Sequence, residues 1–157
     1  MFRIGNGYDV HRLVANRDLI LCGVNIPHAT GLDGHSDADV AVHAVIDAML
    51  GAFALGDIGQ WFPDNDAQWH NADSIEMLKK VGQHKKFSGS SLINLDLTII
   101  AQVPKLAPYI QLMRHNLAAA LHCSLDAISV KATTTEHLGF CGRKEGIAAM
   151  ATLLIRQ

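Results

Sequence analysis

Leu92-Ile93-Asn94-Leu95-Asp96-Leu97-Thr98-Ile99-Ile100-Ala101-Gln102 alternates apolar and polar side chains along most of its length. Ile93, Leu95, Leu97 and Ile99 fall on one face, and Asn94, Asp96 and Thr98 on the other. A period of two predicts a strand with one buried face and one wet or inter-subunit face. Downstream, Pro104 reads as the start of a helix reaching about Leu121. Ile128 to Thr134 and Gly146 to Ile155 read as two more strands. Upstream, Asp73-Ser74-Ile75-Glu76 resembles a capping box opening a helix to about His84. An irregular, Gly-, Pro- and Asp-rich segment from Asp57 to Asp66 reads as a functional loop. Ser36 or Asp37 can cap a helix with a body from about Asp39 to Leu55 that stops at Gly56. Thr30 to Ser36 reads as a loop, Leu19 to Ile26 as a short strand-like run, and Phe2 to Arg12 as the first strand.

The resulting order is strand, helix, helix, strand, helix, strand, strand. It predicts an α/β (α+β) fold: a two-layer sandwich with a mixed four-stranded sheet and helices on one face. No helix remains for the other sheet face, so self-association through that face is expected. Residues 1–157 read as one domain, without repeats or linkers.

Composition narrows the function classes. An apolar content of 49% can fill a core. Thirteen basic against fifteen acidic residues leave a net charge of −2 with no block of like charge. A nucleic-acid partner held by a basic surface is therefore not expected. Apolar stretches break before about 18 residues, so no membrane span is expected. Cys22, Cys123 and Cys141 form no CxxC pair and read as three reduced thiols. No secretory signal precedes the first strand. GxSxG, Walker, GxGxxG and HExxH motifs do not occur, and Gly5-Asn6-Gly7 is too short for a dinucleotide loop.

Nine histidines are many for 157 residues. Asp9 and His11, two apart on an extended segment, point to the same side. His43, from a helix, can supply a third ligand. Two imidazoles and a carboxylate suit zinc and leave a fourth position open, as in catalytic rather than structural sites. Asp39 and Asp47, one helical turn either side of His43, could orient its ring, although exposed helix carboxylates need no such role. A second constellation is Lys131-Ala132-Thr133-Thr134-Thr135-Glu136 with Phe140 and Arg143. The threonines offer hydroxyls and amides to phosphate, Glu136 could hold a hard divalent cation, and Arg143 presents a planar donor fork. A threonine-rich strand end with surface charges explains the same residues without a ligand. A third is Ala101-Gln102-Val103-Pro104-Lys105-Leu106, a strand end running into a helix start, where an anion or polar ring can bind backbone groups.

Taken together, Gly7-Tyr8-Asp9-Val10-His11, His35-Ser36-Asp37, Asp39-Val40 with His43-Ala44, Gly56-Asp57-Ile58-Gly59 with Phe62-Pro63-Asp64, Ala101-Gln102 with Pro104-Lys105, and Lys131 to Glu136 through Gly146 resemble the 2-C-methyl-D-erythritol 2,4-cyclodiphosphate synthases of the non-mevalonate isoprenoid pathway. The resemblance runs nearly end to end. It implies a homotrimer with active sites between neighbouring subunits. It implies Zn2+ on Asp9, His11 and His43, and a second divalent cation, Mg2+ or Mn2+, at Glu136. It implies a cytidine diphosphate ester of methylerythritol 2-phosphate as substrate, with the cyclic diphosphate and CMP as products. His35 and Thr134 match positions that stabilise the transition state. Asp9 and His11 match substrate contacts as well as ligands, and His35, Ser36, Asp57, Ile58, Gly59, Phe62, Pro63, Asp64, Asn65 and Asp66 match contacts to the methylerythritol phosphate end. Ala101, Gln102, Val103, Pro104, Lys105, Leu106 and Ala107 match the cytidine and diphosphate pocket, as do Thr133, Thr134, Thr135 and Glu136. Phe140 and Arg143 match further contacts. Asn6, Ala38 and His137 depart from the residues common there (His, Gly and Lys). Some relatives are fused to a cytidylyltransferase, and the length here suggests a monofunctional chain. The expected compartment is the bacterial cytoplasm, or a plastid if a transit peptide has been removed. Two other readings compete: a metal-dependent phosphohydrolase of a nucleotide diphosphate ester, and a zinc-stabilised module without catalysis, which would need four closed ligands where only three converge.

Overall fold

Phe2–Ala15 forms a long first strand, β1, in the computed structural model, which describes residues 1–157. Its inward side carries Gly5, Gly7, Asp9 and His11; its outward side carries Phe2, Ile4, Tyr8 and Val10. A ribbon of β2 (Leu19–Leu21) and β3 (Val24–Ile26) follows, then β4 (Thr30–Leu32), helix α1 (Val40–Ala52), a short helix α2 (Ile58–Trp61) and helix α3 (Ser74–Gly82). Strand β5 (Ser91–Ile100), helix α4 (Ile110–Ala120), strand β6 (Ile128–Thr133), a short helix α5 (Gly139–Gly142) and strand β7 (Gly146–Arg156) complete the chain.

The main sheet has five strands in the order β4-β1-β7-β5-β6, which corrects the expected four. β1 runs on past Arg12, and Leu13, Val14 and Ala15 pair with Leu32, Gly31 and Thr30. Three residues are too few to show a period, so this edge strand read as loop. β5 and β6 are parallel and the other pairings antiparallel, so the sheet is mixed as expected. Leu19 to Ile26 is a two-strand ribbon rather than one strand, closed by Cys22 and Gly23 with φ of 49° and 70°. Its Leu19, Leu21, Val24 and Ile26 are buried.

Two boundaries moved for identifiable reasons. In β5 the pairing with β7 shifts between Leu92 and Asn94, so Ile93 is an extra residue pushed outward. A bulge of that kind resets which side chains face the core. Leu95, Leu97 and Ile99 stay buried while Ile93 is exposed. Pro104 does not start a helix; a 3₁₀ turn at Ala107–Tyr109 precedes α4, with Pro108 in its first positions. There the missing N–H costs nothing.

The helices lie on one face. α1 packs across β1 and β7, α3 packs on α1, and α4 packs on β6 and α3. Eleven of the thirteen α1 residues are buried. A helix that is apolar all round belongs inside. It lies close to the sheet because the strand beneath it is small. A Cβ at Gly5 would come 1.8 Å from the Ala48 carbonyl oxygen, and one at Gly7 would come 2.0 Å from that of Ala44. These two glycines serve close approach, and they bring α1, with His43, down beside Asp9. The opposite sheet face has no helix on it and exposes Ile4, Tyr8, Val10 and Met150.

Candidate metal centre and its surroundings

Alternation along β1 places Asp9 and His11 together, and the packing of α1 delivers His43 to the same point. The three ligand atoms form a nearly equilateral triangle. Asp9 Oδ2 lies 3.0 Å from His11 Nε2 and 3.1 Å from His43 Nδ1, and the two nitrogens are 3.1 Å apart. In a tetrahedral zinc site with bonds of ~2.0–2.1 Å, neighbouring ligand atoms are about 3.3 Å apart. His11 Nδ1 meets the carbonyl oxygen of Asp33 at 2.6 Å. A carbonyl only accepts, so Nδ1 carries the proton in the neutral ring and Nε2 offers a bare lone pair to the centre. A carboxylate oxygen and imidazole nitrogens aimed at one point repel unless a cation lies between them. The donor set therefore fits a divalent metal.

The electrostatics agree. Burial pushes the Asp9 carboxyl up, but hydrogen bonds and charge from His11 and His43 outweigh it and hold the group far below the usual range. Burial pulls His11 down, yet Asp9 and then the Asp33 carbonyl raise it overall. A protonated imidazole beside the Asp9 carboxylate satisfies the same triangle, so a metal would bind there in competition with protons.

Neither Asp39 nor Asp47 touches the His43 ring, which corrects the idea that one of them orients it. Asp39 is the N-cap of α1: Oδ1 accepts from Val42 N–H at 3.0 Å, and Oδ2 from Gly23 N–H at 2.7 Å. Its complete burial, with nearby Asp37 second, pushes its carboxyl up to about 6 despite those bonds. Asp47 Oδ1 accepts from Ile58 N–H at 2.7 Å and so anchors α2. The outer nitrogen of His43 instead faces hydroxyls, Ser74 Oγ at 2.9 Å and Ser36 Oγ at 3.1 Å. Ser74 had read only as part of a capping box. Asp73 is the cap, as that box implies, accepting from Ile75 N–H, but Glu76 pairs with Lys79 rather than reaching back.

These three side chains sit in a cleft of about 240 Å³ lined also by His35, Ser36, Ile58, Gly59, Phe62, Asp64, Trp69 and Met77. Trp69 meets the Phe62 ring edge-on and receives Lys80 on its face. His35 lies 3.4 Å from the Asp66 carbonyl, its ring 5.1 Å from that of His70. Asp57 caps α2 through Gln60 N–H. Pro63, Asn65 and Asp66 belong to the adjoining loop without lining the cleft. A larger, wider hollow of about 560 Å³ lies elsewhere, around Asn16, Arg17 and Asn71. No set of metal ligands converges there, and its Arg17 is engaged with the carbonyls of Leu32, Gly34 and Ser36.

The other predicted residues form a separate group. Parallel pairing of β5 and β6 sets their carboxyl ends side by side, with Ala101 N–H bonded to the Thr133 carbonyl. Thr134 Oγ1 donates to Glu136 Oε1 at 3.2 Å, and Gln102 Oε1 accepts from His137 N–H at 3.1 Å. Thr133, Thr134, Glu136, Lys105, Ala107, Phe140 and Arg143 are exposed; Thr135, Gln102, Val103 and Pro104 are partly covered; Ala101 and Leu106 are buried. Arg143 spends part of its donor fork on Glu145. This group and the metal cleft occupy the same end of the sheet. Asp9 pairs with Ala149, Ala149 with Ile99, and Ile99 with Ala132. Three strand spacings of ~4.8 Å put the two groups roughly 14 Å apart. One chain thus holds two partial sites.

Comparison with known proteins bears on this arrangement. A curated protein from Shewanella baltica named 2-C-methyl-D-erythritol 2,4-cyclodiphosphate synthase is 60% identical over 153 residues, covering 98% of this chain and 95% of that protein. A solved structure of a protein with the same name, in a CDP-bound form, superposes with a TM-score of 0.89 at 36% identity, over 98% of this chain and 100% of that one. The bifunctional IspDF from Campylobacter jejuni superposes at 0.93 with 46% identity; the match covers 99% of this chain but only 42% of that longer one. The sequence profile of the YgbB family matches residues 2–156. The chain belongs to the YgbB family.

Proposed function

We propose that this chain converts 4-diphosphocytidyl-2-C-methyl-D-erythritol 2-phosphate into 2-C-methyl-D-erythritol 2,4-cyclodiphosphate and CMP, the cyclisation step of the non-mevalonate isoprenoid pathway. An oxygen of the 2-phosphate attacks the β-phosphorus, and the bond from that phosphorus to the bridging oxygen breaks, so that CMP departs with the electron pair. Attacking and leaving groups are both already anionic, so neither a strong base nor a nucleophilic triad is required. The barrier is mainly repulsion: two unit charges about 4 Å apart cost roughly 4 kcal/mol at an effective dielectric of 20.

The convergence of Asp9, His11 and His43 within one cleft carries this reading. Those residues would hold zinc, which supplies positive charge to the phosphate oxygens. His35 and Ser36 bind the 2-phosphate end, and Asp57 to Gly59 with Phe62 to Asp66 enclose the methylerythritol unit. Ala101 to Ala107 cradle cytidine. Thr133 to Thr135 donate to the diphosphate, with Thr134 and His35 nearest the developing charge, and Glu136 holds the second cation, Mg2+ or Mn2+. Phe140 and Arg143 add contacts at the rim. Holding both arms of one molecule in a bent pose provides much of the remaining acceleration.

The separation of the two partial sites supports a homotrimer. Three copies meeting on the helix-free sheet faces would cover Ile4, Tyr8, Val10 and Met150 and set the metal cleft of one subunit against the Thr133–Glu136 loop of the next. Residues 1–157 act as a single synthase domain, working in the cytoplasm; no helix is long and apolar enough to cross a membrane.

Product analysis tests the activity. Incubation with the cytidylylated 2-phosphate should give cyclic diphosphate and CMP in equal amounts, and a chelator should abolish both. A linear phosphate ester as the main product would overturn cyclisation in favour of metal-dependent hydrolysis.

A further inference from the structure

The imidazole of His43 has two nitrogens, and only a ring protonated on the outer one can present a lone pair to Asp9 and His11. Two sets of acceptors compete for that proton: Asp9 Oδ2, 3.1 Å from Nδ1, and the hydroxyls around Nε2. Ser74 is wholly buried, and its Oγ lies between His43 Nε2, at 2.9 Å, and Asp37 Oδ1, to which it donates. Asp37 Oδ2 accepts from Ser74 N–H at 3.0 Å, and Oδ1 also accepts from Asp39 N–H at 3.1 Å. Both Asp37 oxygens accept backbone N–H groups, and the single hydroxyl proton of Ser74 is donated to Oδ1. Ser74 Oγ can then only accept from His43. Ser36 Oγ, 3.1 Å from the same nitrogen, already accepts from Ala38 N–H and can accept there as well. Were Nε2 bare, it would face the lone pairs of Ser74 at 2.9 Å.

We infer that Asp37 and Ser74 are positioning residues: through one hydroxyl, the carboxylate keeps the His43 proton on Nε2 and its Nδ1 lone pair aimed at the metal. The relay also ties the start of α3 to the loop before α1, so one contact sets both the tautomer and the tilt of the ring. It rests on the metal reading proposed above for Asp9, His11 and His43. Outer partners of this kind typically change metal affinity 10- to 100-fold.

The test begins with the unsubstituted full chain, freed of metal by chelation and held at pH 8.5. Nitrogen-15 chemical shifts of the His43 ring should report the Nε2–H tautomer; the Nδ1–H tautomer would overturn the inference, and no variant needs to fold for that result. Because it is read without metal, it can hold even where zinc binding fails, which separates this inference from the metal reading. Asp37→Asn then probes the carboxylate. Its amide must present a donor to Ser74, and the hydroxyl proton should turn toward His43. Zinc affinity, read by chelator competition, should fall 10- to 100-fold, with the ring moving toward Nδ1–H. Ser74→Ala should weaken zinc similarly. A folded Asp37→Asn chain that binds zinc within twofold of the parent and keeps the parental tautomer would show that Asp37 serves only structure.

Discussion

The two partial sites at one end of the sheet are built in opposite ways. Asp9, His11 and His43 stand on elements that the core fixes: a central strand and a helix buried almost all round. Their outer atoms are bonded in turn to the Asp33 carbonyl and to Ser74. Thr133 to Glu136 leave the end of an edge strand and are largely exposed; beyond the Thr133 carbonyl, which accepts from Ala101 N–H, their side-chain bonds reach only one to three residues along the chain. The Asp9, His11 and His43 cluster is preorganised by folding, whereas the threonine loop offers exposed donors that the fold itself does not pin. Substitutions should therefore damage the first site through the fold and the second through binding alone.

The largest effect is expected at Gly7→Ala. Its methyl would lie 2.0 Å from the Ala44 carbonyl oxygen, so α1 must lift off β1 and take His43 with it. A loss of about 5 kcal/mol, at the exceptional end for one substitution, should appear in urea unfolding together with loss of zinc. Parental stability would mean that the helix does not rest on that strand as described. Next, His43→Ala should cost about 4 kcal/mol of zinc binding. That is one share of the ~10–16 kcal/mol typical of structural sites and roughly a thousandfold in affinity; equilibrium dialysis would measure it.

Asp39 gives a smaller effect, read through pH. Its carboxyl titrates near 6 in the folded chain against 3.8 ordinarily. The folded chain therefore keeps a proton that the unfolded chain releases between those values. This group's contribution is most favourable below pH 4 and worsens by about 3 kcal/mol as pH rises through 6. Asp9, held low, has the opposite slope but is common to parent and variant. Comparing urea midpoints at pH 4 and pH 7, Asp39→Asn should lose the unfavourable trend; equal slopes in both proteins would leave Asp39 with an ordinary carboxyl. The smallest structural effect belongs to Glu136→Gln. Stability should hold within ~0.5 kcal/mol and zinc content should not change, while activation by added Mg2+ or Mn2+ weakens. Zinc loss in that variant would erase the contrast between the two regions.

Much of this was legible in the residues. Phe2 to Arg12, the alternating Leu92 to Gln102, the capped stretch from Asp39 to Leu55 and Gly146 to Ile155 were legible as β1, β5, α1 and β7, and Asp9, His11 and His43 as a cluster that could hold a metal. What escaped depends on contacts distant in sequence. β4 is three residues long and becomes a strand only because β1 extends to meet it. The turn at Cys22 and Gly23 uses a left-handed cysteine, which carries no turn signal. Ile93 obeyed the alternation yet was expelled by a bulge that its partner strand sets. Ser74 and Asp37 are separated by thirty-six intervening residues and meet only when α3 docks beside the loop before α1. Gly5 and Gly7 were too few for a nucleotide loop; their use became visible only with a helix lying over them.

The chain ends define a direction. Met1 and Gln157 bond to each other backbone to backbone, and Phe2 pairs with Arg156, seven residues along β1 from Asp9. At ~3.3 Å per residue that is about 23 Å from the metal ligands. A tag or second module tethered at either terminus would emerge from the pole of the molecule remote from its chemistry. Joining the two termini by a short linker and reopening the chain at an exposed loop would leave the reactive end untouched.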